Sequence, residues 1–263
     1  VQTNPIFGEV ERNVESALSL ASRVEADLLV FPELFNTGYL FTSKEEALKL
    51  AEPVPEGRTV KRLREFAEEN STSIVAGLAE RDGDSVYNSA VAIDQEGEVR
   101  LVYRKIHLFS REKLVFSPGD RGFGVVELSG MRVGVMICFD WIFPEAARVL
   151  ALMGAQVIAH PSNLVLPYAQ TAMLARSIEN RVFTITANRT GAEERGGLRL
   201  EFTGMSQVTS PDMRVLIRAP RKGEDVGVVR IDPSEADNKR VTELNDLWED
   251  RRPEFYSRIL ERT

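Results

Sequence analysis

Segments with a helical pattern alternate with segments of strand pattern along most of the chain, and this alternation most constrains its fold. Residues 10–24 place apolar side chains on one helical face, and residues 27–31 then form a short apolar run. This order of elements predicts an α/β architecture. Further helices are predicted at residues 60–69, 144–153 and 170–180, and further strands at residues 73–79, 85–93, 98–105, 131–138, 156–160, 182–187, 200–209, 214–218 and 226–231.

The chain is predicted to form one domain over residues 1–263, because it contains no repeat, low-complexity segment or flexible linker. A turn signal at residues 94–97, Asp-Gln-Glu-Gly, predicts an antiparallel hairpin. Residues 1–5 have the pattern of a strand end. Residues 233–263 are charged and lack strand pattern, so we expect a C-terminal arm that packs on a neighbouring subunit.

The composition excludes several classes of protein. The chain contains 43% hydrophobic and 28% charged residues, and its apolar runs are too short to span a membrane. The first residues lack a signal-peptide pattern, and the single cysteine suits a reducing, cytoplasmic location. One cysteine and two histidines cannot supply a Cys/His zinc cluster. A net charge of −7 without a basic block argues against nucleic acid or anionic membrane as a partner.

Three reactive side chains stand at the ends of predicted strands. Glu33, Lys105 and Cys138 each follow an apolar run and depart from its pattern. Ligand sites of α/β proteins lie outside the carboxyl ends of strands. We therefore expect a carboxylate, an ammonium group and a thiol to meet in one pocket.

The chemistry of these three groups is complementary. A free thiol has a pKa of about 8.5 and needs a base or a cation to become a nucleophile. A desolvated Glu33 has a raised pKa and accepts that proton, while Lys105 receives the negative charge that attack on an amide or nitrile creates. Each residue alone also has a simpler explanation: a small core side chain for Cys138, and surface charges for Glu33 and Lys105.

The sequence around these residues resembles the nitrilase superfamily of carbon–nitrogen hydrolases over essentially its whole length. Three blocks carry the resemblance in the order of that family: residues 31–35 (Phe-Pro-Glu-Leu-Phe), 103–109 (Tyr-Arg-Lys-Ile-His-Leu-Phe) and 134–141 (Gly-Val-Met-Ile-Cys-Phe-Asp-Trp). The resemblance implies a four-layer αββα sandwich and a cofactor-free mechanism without a metal. It assigns the catalytic roles to Glu33, Lys105 and Cys138.

The resemblance implies roles for further residues. Glu112 matches the family's second glutamate, which positions the substrate or the hydrolytic water. Phe139 would provide a backbone N–H for the oxyanion, and Trp141 and Asn163 would shape the acyl pocket. We interpret Glu80, Asn88, Arg176 and Glu179 as scaffold, with the alternative that Glu80 holds Lys105. Members of the family associate through helices near the site and a C-terminal arm, so a homodimer or larger homo-oligomer is expected. Trp248 and Tyr256 would anchor the arm on the neighbouring subunit or, alternatively, cover their own subunit.

Three alternatives stay open at this point. His107 or His160 could pair with Cys138 in a Cys–His hydrolase. Lys105 could form a Schiff base in a (β/α) barrel lyase, although the hairpin signal fits a parallel barrel poorly. The chain could also be a binding protein of the same fold without turnover. Nucleotide-binding glycine motifs and calcium-loop spacing are absent from the sequence.

The expected substrate is a small aliphatic amide or a dicarboxylic monoamide, which would release ammonia. The apolar residues Trp141, Ile142 and Phe143 follow the cysteine, whereas carbamoylases of this family carry a polar residue there. Small aliphatic nitriles and dinitriles are the first alternative, and N-carbamoyl compounds the second.

Overall fold

Two β-sheets form the centre of the fold in the computed structural model, which describes residues 1–261. The first sheet contains, in spatial order, β1 (Leu28–Val30), β2 (Ser73–Asp82), β3 (Ser85–Ile93) and β4 (Val99–Arg104). β1 and β2 are parallel, and the other two pairs are antiparallel. The turn between β3 and β4 lies at the predicted position, where the Asp94 carboxylate accepts the backbone N–H groups of Glu96 and Glu98.

The second sheet has six strands: β5 (Val125–Leu128), β6 (Met131–Val135), β7 (Val157–Ser162), β8 (Phe183–Asn188), β11 (Gln207–Thr209) and β12 (Val215–Arg218). Its spatial order is β12–β11–β8–β7–β6–β5, and β6, β7 and β8 are parallel. The helices α4 (Pro144–Leu152) and α5 (Ala169–Asn180) lie in the crossovers between these parallel strands. A separate hairpin is formed by β9 (Ala192–Arg195) and β10 (Leu198–Glu201).

Strand alternation explains how the layers stack. Successive side chains of a strand point to opposite faces. Val30 and Val75 therefore pack in the cluster shared with the second sheet, whereas Leu29 and Ile74 pack against α1 (Val10–Ala21) and α3 (Arg58–Asn70). Helices α4 and α5 cover the other face of the second sheet. The predicted αββα sandwich is confirmed, and its separate sheets with antiparallel pairs exclude a parallel (β/α) barrel.

The structure corrects several predicted elements. The strand predicted to reach Cys138 ends at Val135, and Cys138 begins a 3₁₀ turn, Cys138–Ile142. The strand predicted at residues 200–209 is two strands, because Gly204 adopts a φ of +60° between β10 and β11. The strand predicted at residues 226–231 is wrong. This segment forms no ladder among the described residues, and its neighbour Asp225 makes only a bridge to Gln2. α2 (Lys44–Leu50), β5 and β9 were missed.

Trp248 covers its own subunit. Its ring packs against the shared core cluster, with the Arg148 guanidinium carbon 5.1 Å and the Lys239 Nζ 5.2 Å from the ring centroid. Tyr256 and most of the described residues after Trp248 are exposed. Packing of the arm on a neighbouring subunit stays a prediction. No helix within residues 1–261 is long and apolar enough to cross a membrane.

Candidate active site

Glu33 lies on a tight turn directly after β1. The Phe35 N–H donates to the Gly77 carbonyl and the Gly77 N–H to the Pro32 carbonyl, which fixes this turn against β2. Leu34 adopts a left-handed φ of 49°. A Cβ atom at Gly77 would lie 2.5 Å from the Glu33 Cα, so only glycine allows this approach of the two backbones.

Lys105 follows β4, and its side chain is fully buried between two carboxylates. Its Nζ lies 2.6 Å from Glu33 Oε1 and 2.9 Å from both carboxylate oxygens of Glu112. Its backbone is held by the Asn88 carbonyl and by the Gly119 N–H. Glu112, the predicted second glutamate, therefore contacts the same ammonium group as Glu33.

Cys138 is presented by a strained turn at the end of the strand β6. Its φ is +40°, a left-handed conformation that is uncommon for a residue with a side chain. The Asp140 carboxylate accepts the Ile137 N–H at 2.8 Å, and His160 Nε2 donates to the Cys138 carbonyl at 2.9 Å. Only 5% of the Cys138 surface is exposed.

Burial and neighbouring charges shift the pKa values of Cys138, Glu33 and Lys105. Burial, followed by the Glu33 carboxylate, raises the pKa of the Cys138 thiol, and Lys105 opposes this rise. Burial also raises the pKa of Glu33, against the Lys105 ammonium. Burial alone lowers the pKa of Lys105, but the carboxylates of Glu112 and Glu33 outweigh it, so Lys105 keeps its proton. Burial thus disfavours the thiolate of Cys138 and the ionised form of Glu33, whereas the two glutamates favour the ammonium form of Lys105.

The two carboxylate oxygens of Glu33 differ in their hydrogen bonds. Oε1 accepts from Lys105 and, at 2.6 Å, from Asn88 Nδ2. Oε2 has no hydrogen-bond partner within residues 1–261. Asn88, interpreted from the sequence as scaffold, thus contacts the proposed base directly.

Asn163 links two of the reactive groups. Its Nδ2 donates to the Glu33 carbonyl at 2.8 Å, and its backbone lowers the pKa of the Cys138 thiol. Its Oδ1 is buried without a hydrogen-bond partner in the described part of the chain. Trp141 is buried beside Cys138 on the same turn, whereas Phe139 is half-buried against Phe109 and Phe143.

Tyr39 is a site residue that sequence reasoning missed. Its hydroxyl donates to Glu112 Oε1 at 2.6 Å, and its pKa is raised by burial and by the Glu112 and Glu33 carboxylates. The residue lies in an irregular loop after Glu33, where no periodic pattern marks a side chain. The sequence feature that could have identified Tyr39 is its position in a loop that follows the reactive residue Glu33.

Both histidines contact structural groups instead of the thiol. His107 Nδ1 pairs with Asp140 at 2.7 Å. His160 is fully buried between Thr186, Ser162 and the Cys138 carbonyl, and burial lowers its pKa to about 4. A neutral His160 that faces the backbone of Cys138 supports the local turn and does not form a Cys–His pair.

The remaining predicted scaffold residues form ion pairs around the site. Glu80 contacts Arg104 at 2.5 Å and Ser89 at 2.6 Å, so it holds the neighbour of Lys105 and not Lys105 itself. Arg176 pairs with Glu179 at 2.8 Å and donates to the Trp141 carbonyl. Within the described residues, no group of three or more His, Cys, Asp or Glu side chains is arranged to hold a metal ion.

Comparison with known proteins identifies the family. Residues 1–240 match the family model described as carbon–nitrogen hydrolase. The chain belongs to the carbon–nitrogen hydrolase family, the nitrilase superfamily. A protein named nitrilase from Pyrococcus abyssi is 52% identical over 261 residues, which cover 98% of each chain.

Solved structures of carbon–nitrogen hydrolases agree with the sandwich fold. A carbon–nitrogen hydrolase from Helicobacter pylori G27 superposes with a TM-score of 0.88 at 27% identity, covering 99% of this chain and 96% of the other. A mutant of an amidase from Nesterenkonia sp. AN1, described with acrylamide added to its active site cysteine, has a TM-score of 0.78 at 27% identity over 98% and 97% of the chains. This chain is thus an enzyme that hydrolyses carbon–nitrogen bonds, and its one cysteine is buried in the sandwich.

Proposed function

We propose that this carbon–nitrogen hydrolase cleaves small aliphatic amides, with Cys138 as nucleophile, Glu33 as base and Lys105 as the oxyanion's cation. The observation that carries the proposal is the buried cluster in which Lys105 bonds to Glu33 and Glu112 at 2.6–2.9 Å, beside a thiol whose pKa responds to these charges. The same cluster speaks against a binding protein without turnover, since uncompensated buried charge destabilises a fold and is retained where chemistry needs it.

The first half-reaction forms a thioester. Glu33 Oε2 accepts the thiol proton as the sulfur attacks the amide carbonyl, and the carbonyl electron pair moves to oxygen. Lys105 and the backbone N–H of Phe139 stabilise that oxyanion. When the tetrahedral intermediate collapses, Glu33 returns the proton to the leaving nitrogen and ammonia departs.

The second half-reaction reverses these roles with water. Glu33 takes a proton from a water molecule that attacks the thioester carbonyl, and the returned proton restores the Cys138 thiol as the carboxylic acid leaves. Glu112 also contacts Lys105 Nζ, and we assign it the positioning of Lys105 and of the attacking water. Asn163 Oδ1 would accept a hydrogen bond from the amide NH₂ group.

Small aliphatic nitriles are the second candidate substrate. The Pyrococcus abyssi relative carries the name nitrilase, and attack of the same thiol on a nitrile carbon would form a thioimidate. Two water molecules would then release ammonia and the acid. The apolar Trp141 beside the nucleophile favours both of these substrate classes over N-carbamoyl compounds.

A substrate panel tests the proposal. Purified enzyme and the Cys138→Ala variant are incubated with short aliphatic amides, dicarboxylic monoamides, aliphatic mono- and dinitriles and N-carbamoyl amino acids, and ammonia release is measured. We expect release from aliphatic amides by the wild type and none above background by Cys138→Ala. Release from nitriles alone would replace the amidase assignment, and release from carbamoyl compounds alone would reject both.

We further propose a homodimer that forms through the outer face of α4 and α5. Apolar side chains on and next to these helices are 38–49% exposed: Ile142, Val149, Leu152, Met153 and Ile178. Val149 and Leu152 lie one helical turn apart on α4, and α4 contacts α5, so we propose that these side chains contribute to one apolar surface. Exposed apolar patches of this kind mark protein interfaces.

A further inference from the structure

A hairpin outside both main sheets reaches the active site through the loop that carries Tyr39. We propose that Tyr39 and Glu193 are positioning residues of the reaction: Tyr39 fixes Glu112, and Glu193 on β9 fixes Tyr39. The inference rests on the proposed function, in which Glu112 positions Lys105. It extends the site beyond the residues of that mechanism to a hairpin that begins at Ala192, far from Cys138 in the sequence.

The contact between Tyr39 and Glu112 completes the environment of Lys105. Glu112 Oε1 accepts from both Lys105 Nζ at 2.9 Å and the Tyr39 hydroxyl at 2.6 Å, while Oε2 accepts the Phe109 N–H at 3.1 Å. Three donors thus determine the orientation of one buried carboxylate, and only the Tyr39 hydroxyl comes from a distant part of the chain. Without the hydroxyl, Glu112 would lose this long-range partner.

Glu193 holds the backbone of Tyr39. Its carboxylate accepts the Tyr39 N–H at 3.1 Å and the Leu40 N–H at 2.7 Å. Hydrogen bonds between a carboxylate and backbone N–H groups are among the stronger ones in proteins. Arg195, two residues further on β9, donates to the Leu40 carbonyl at 2.8 Å, so the hairpin binds both polar groups of the Leu40 backbone.

The carboxylate of Glu193 is itself held by a buried cation. Arg189 forms an ion pair with it, and the Arg189 guanidinium lies 4.0 Å from the centre of the Phe202 ring. Phe202 packs edge-to-face on Tyr39, with ring centroids 5.9 Å apart. The Arg189–Glu193 pair therefore supports Tyr39 at its backbone and its ring.

Gly38 shows how closely the loop and the hairpin fit. Its φ is +83°, and a Cβ atom there would lie 2.9 Å from Glu193 Oε1 and 2.9 Å from the Phe7 Cα. A side chain at this position would displace the loop from the Glu193 carboxylate. Glycine at position 38 therefore allows the Glu193 carboxylate to approach the backbone of Tyr39.

The first test removes only the hydroxyl. Tyr39→Phe keeps the ring and its packing, and we expect kcat to fall on the order of ten- to hundredfold, as for loss of a buried hydrogen bond to a charged group. KM should change less than kcat, because the contact acts on Glu112 and Lys105 and not on the ground-state substrate. The rate of Cys138 alkylation by iodoacetamide, followed by mass spectrometry, should fall as well.

The second test asks whether Glu193 acts through Tyr39. Glu193→Gln is measured in the wild-type and the Tyr39→Phe backgrounds, with the exposed neighbour Glu194→Gln as control. We expect Glu193→Gln to lower the thermal midpoint by a similar amount in both backgrounds. It should lower kcat roughly tenfold with Tyr39 present and less than about twofold in the Tyr39→Phe background, since only coupled residues depart from additivity.

The outcomes separate this proposal from the proposed function. Equal loss of kcat in both backgrounds, or a Tyr39→Phe variant with lowered thermal midpoint and unchanged kcat and alkylation rate, would overturn the positioning roles. If Glu193→Gln does not fold, the Tyr39→Phe variant still decides the role of the hydroxyl. Alkylation needs no substrate, so it tests the arrangement even where no amide or nitrile of the panel is hydrolysed.

Discussion

The charge balance around Lys105 is unusual for a buried site. Two carboxylates, Glu33 and Glu112, share one ammonium group, and all three side chains are almost completely buried. Burial therefore raises the pKa of Glu33 above 4.5 even though Lys105 is 2.6 Å away. A base with a raised pKa is suited to take a proton from a thiol whose own pKa burial has raised.

Replacing Glu33 separates its role in catalysis from its effect on stability. In Glu33→Gln we expect turnover to fall about 10²- to 10⁴-fold, the contribution typical of a general base. His107→Asn is the control, because His107 pairs with Asp140 and stacks on Phe143. It should stay within about tenfold of wild type. Full activity of Glu33→Gln, or complete loss in His107→Asn, would favour a Cys–His mechanism.

The stability of Glu33→Gln relative to the wild type is predicted to depend on pH. Because the pKa of Glu33 is raised above its unfolded value of 4.5, the native state binds this proton more tightly than the unfolded chain does. Ionisation of Glu33 therefore destabilises the wild type as the pH rises from 4.5 through the raised pKa. Over that range, the thermal midpoint of Glu33→Gln should rise relative to that of the wild type. A gain that instead grew as the pH fell would contradict the assigned direction.

Glu112 is predicted to act on Lys105 without being essential for folding. Glu112→Gln keeps the shape and an acceptor for the Tyr39 hydroxyl but removes a negative charge from the ammonium group. We expect kcat to fall on the order of 10²-fold, as when one preorganised electrostatic group is lost, with an unchanged circular dichroism spectrum. Near-normal kcat would remove Glu112 from the mechanism.

The sequence predicts the charged residues of the site better than the residues that hold them. Glu33, Lys105, Glu112 and Cys138 stand out as reactive groups near strand ends or within a recognisable block. Tyr39 contacts Glu112 across 73 positions of sequence, and Glu193 contacts Tyr39 across 154. No local pattern encodes such contacts, since they exist only after the hairpin has packed on the loop.

At the scale of elements, predictions succeed where burial imposes a period. β2 and β3 are fully buried along most of their length and lie where their apolar runs predict. The seven-residue helix α2 buries only Ala47, so it leaves little periodic signal. Residues 226–231 show the converse error: an apolar, β-branched run indicates extended backbone, but a strand also requires an adjacent edge to pair with.

One contact between elements is predicted to determine the position of Glu33. Gly77→Ala on β2 would place a Cβ atom 2.5 Å from the Glu33 Cα, where only backbone movement could relieve the clash. We expect a loss of stability on the order of 1–3 kcal/mol, as for an overpacked core, together with a loss of turnover.

Gly83→Ala provides the matched control for this substitution. Gly83 lies in the turn between β2 and β3, and a Cβ there would meet nothing within 4 Å, although its φ of +58° costs about 1–2 kcal/mol with alanine. Urea unfolding and ammonia release should show both variants destabilised but only Gly77→Ala impaired in turnover. Unimpaired turnover in Gly77→Ala would show that β2 does not fix Glu33.

At the scale of the whole molecule, the apolar face of α4 and α5 predicts the oligomeric state. Leu152→Arg places a charge on that face and should raise the dimer dissociation constant at least about tenfold, as for an interface hot spot. Leu244→Arg is the control, because Leu244 is 87% exposed and lies outside the face. Sedimentation velocity of wild type and both variants is the measurement. A monomeric wild type, or a dimer that Leu152→Arg leaves intact, would reject this interface.

The two-sheet sandwich brings together reactive groups from strand ends on both sheets. Glu33 and Lys105 extend from the first sheet, and Cys138 from the second, so the proposed nucleophile and its proposed base come from different sheets. This arrangement predicts that a covalent intermediate forms at one atom, the Cys138 sulfur.

The most direct measurement is mass spectrometry of enzyme quenched in acid during turnover of a short aliphatic amide. We predict an added acyl mass on the peptide that contains Cys138, and neither an adduct nor ammonia release in Cys138→Ala. Ammonia release by Cys138→Ala, together with wild-type enzyme that turns over without any adduct on Cys138, would contradict the mechanism.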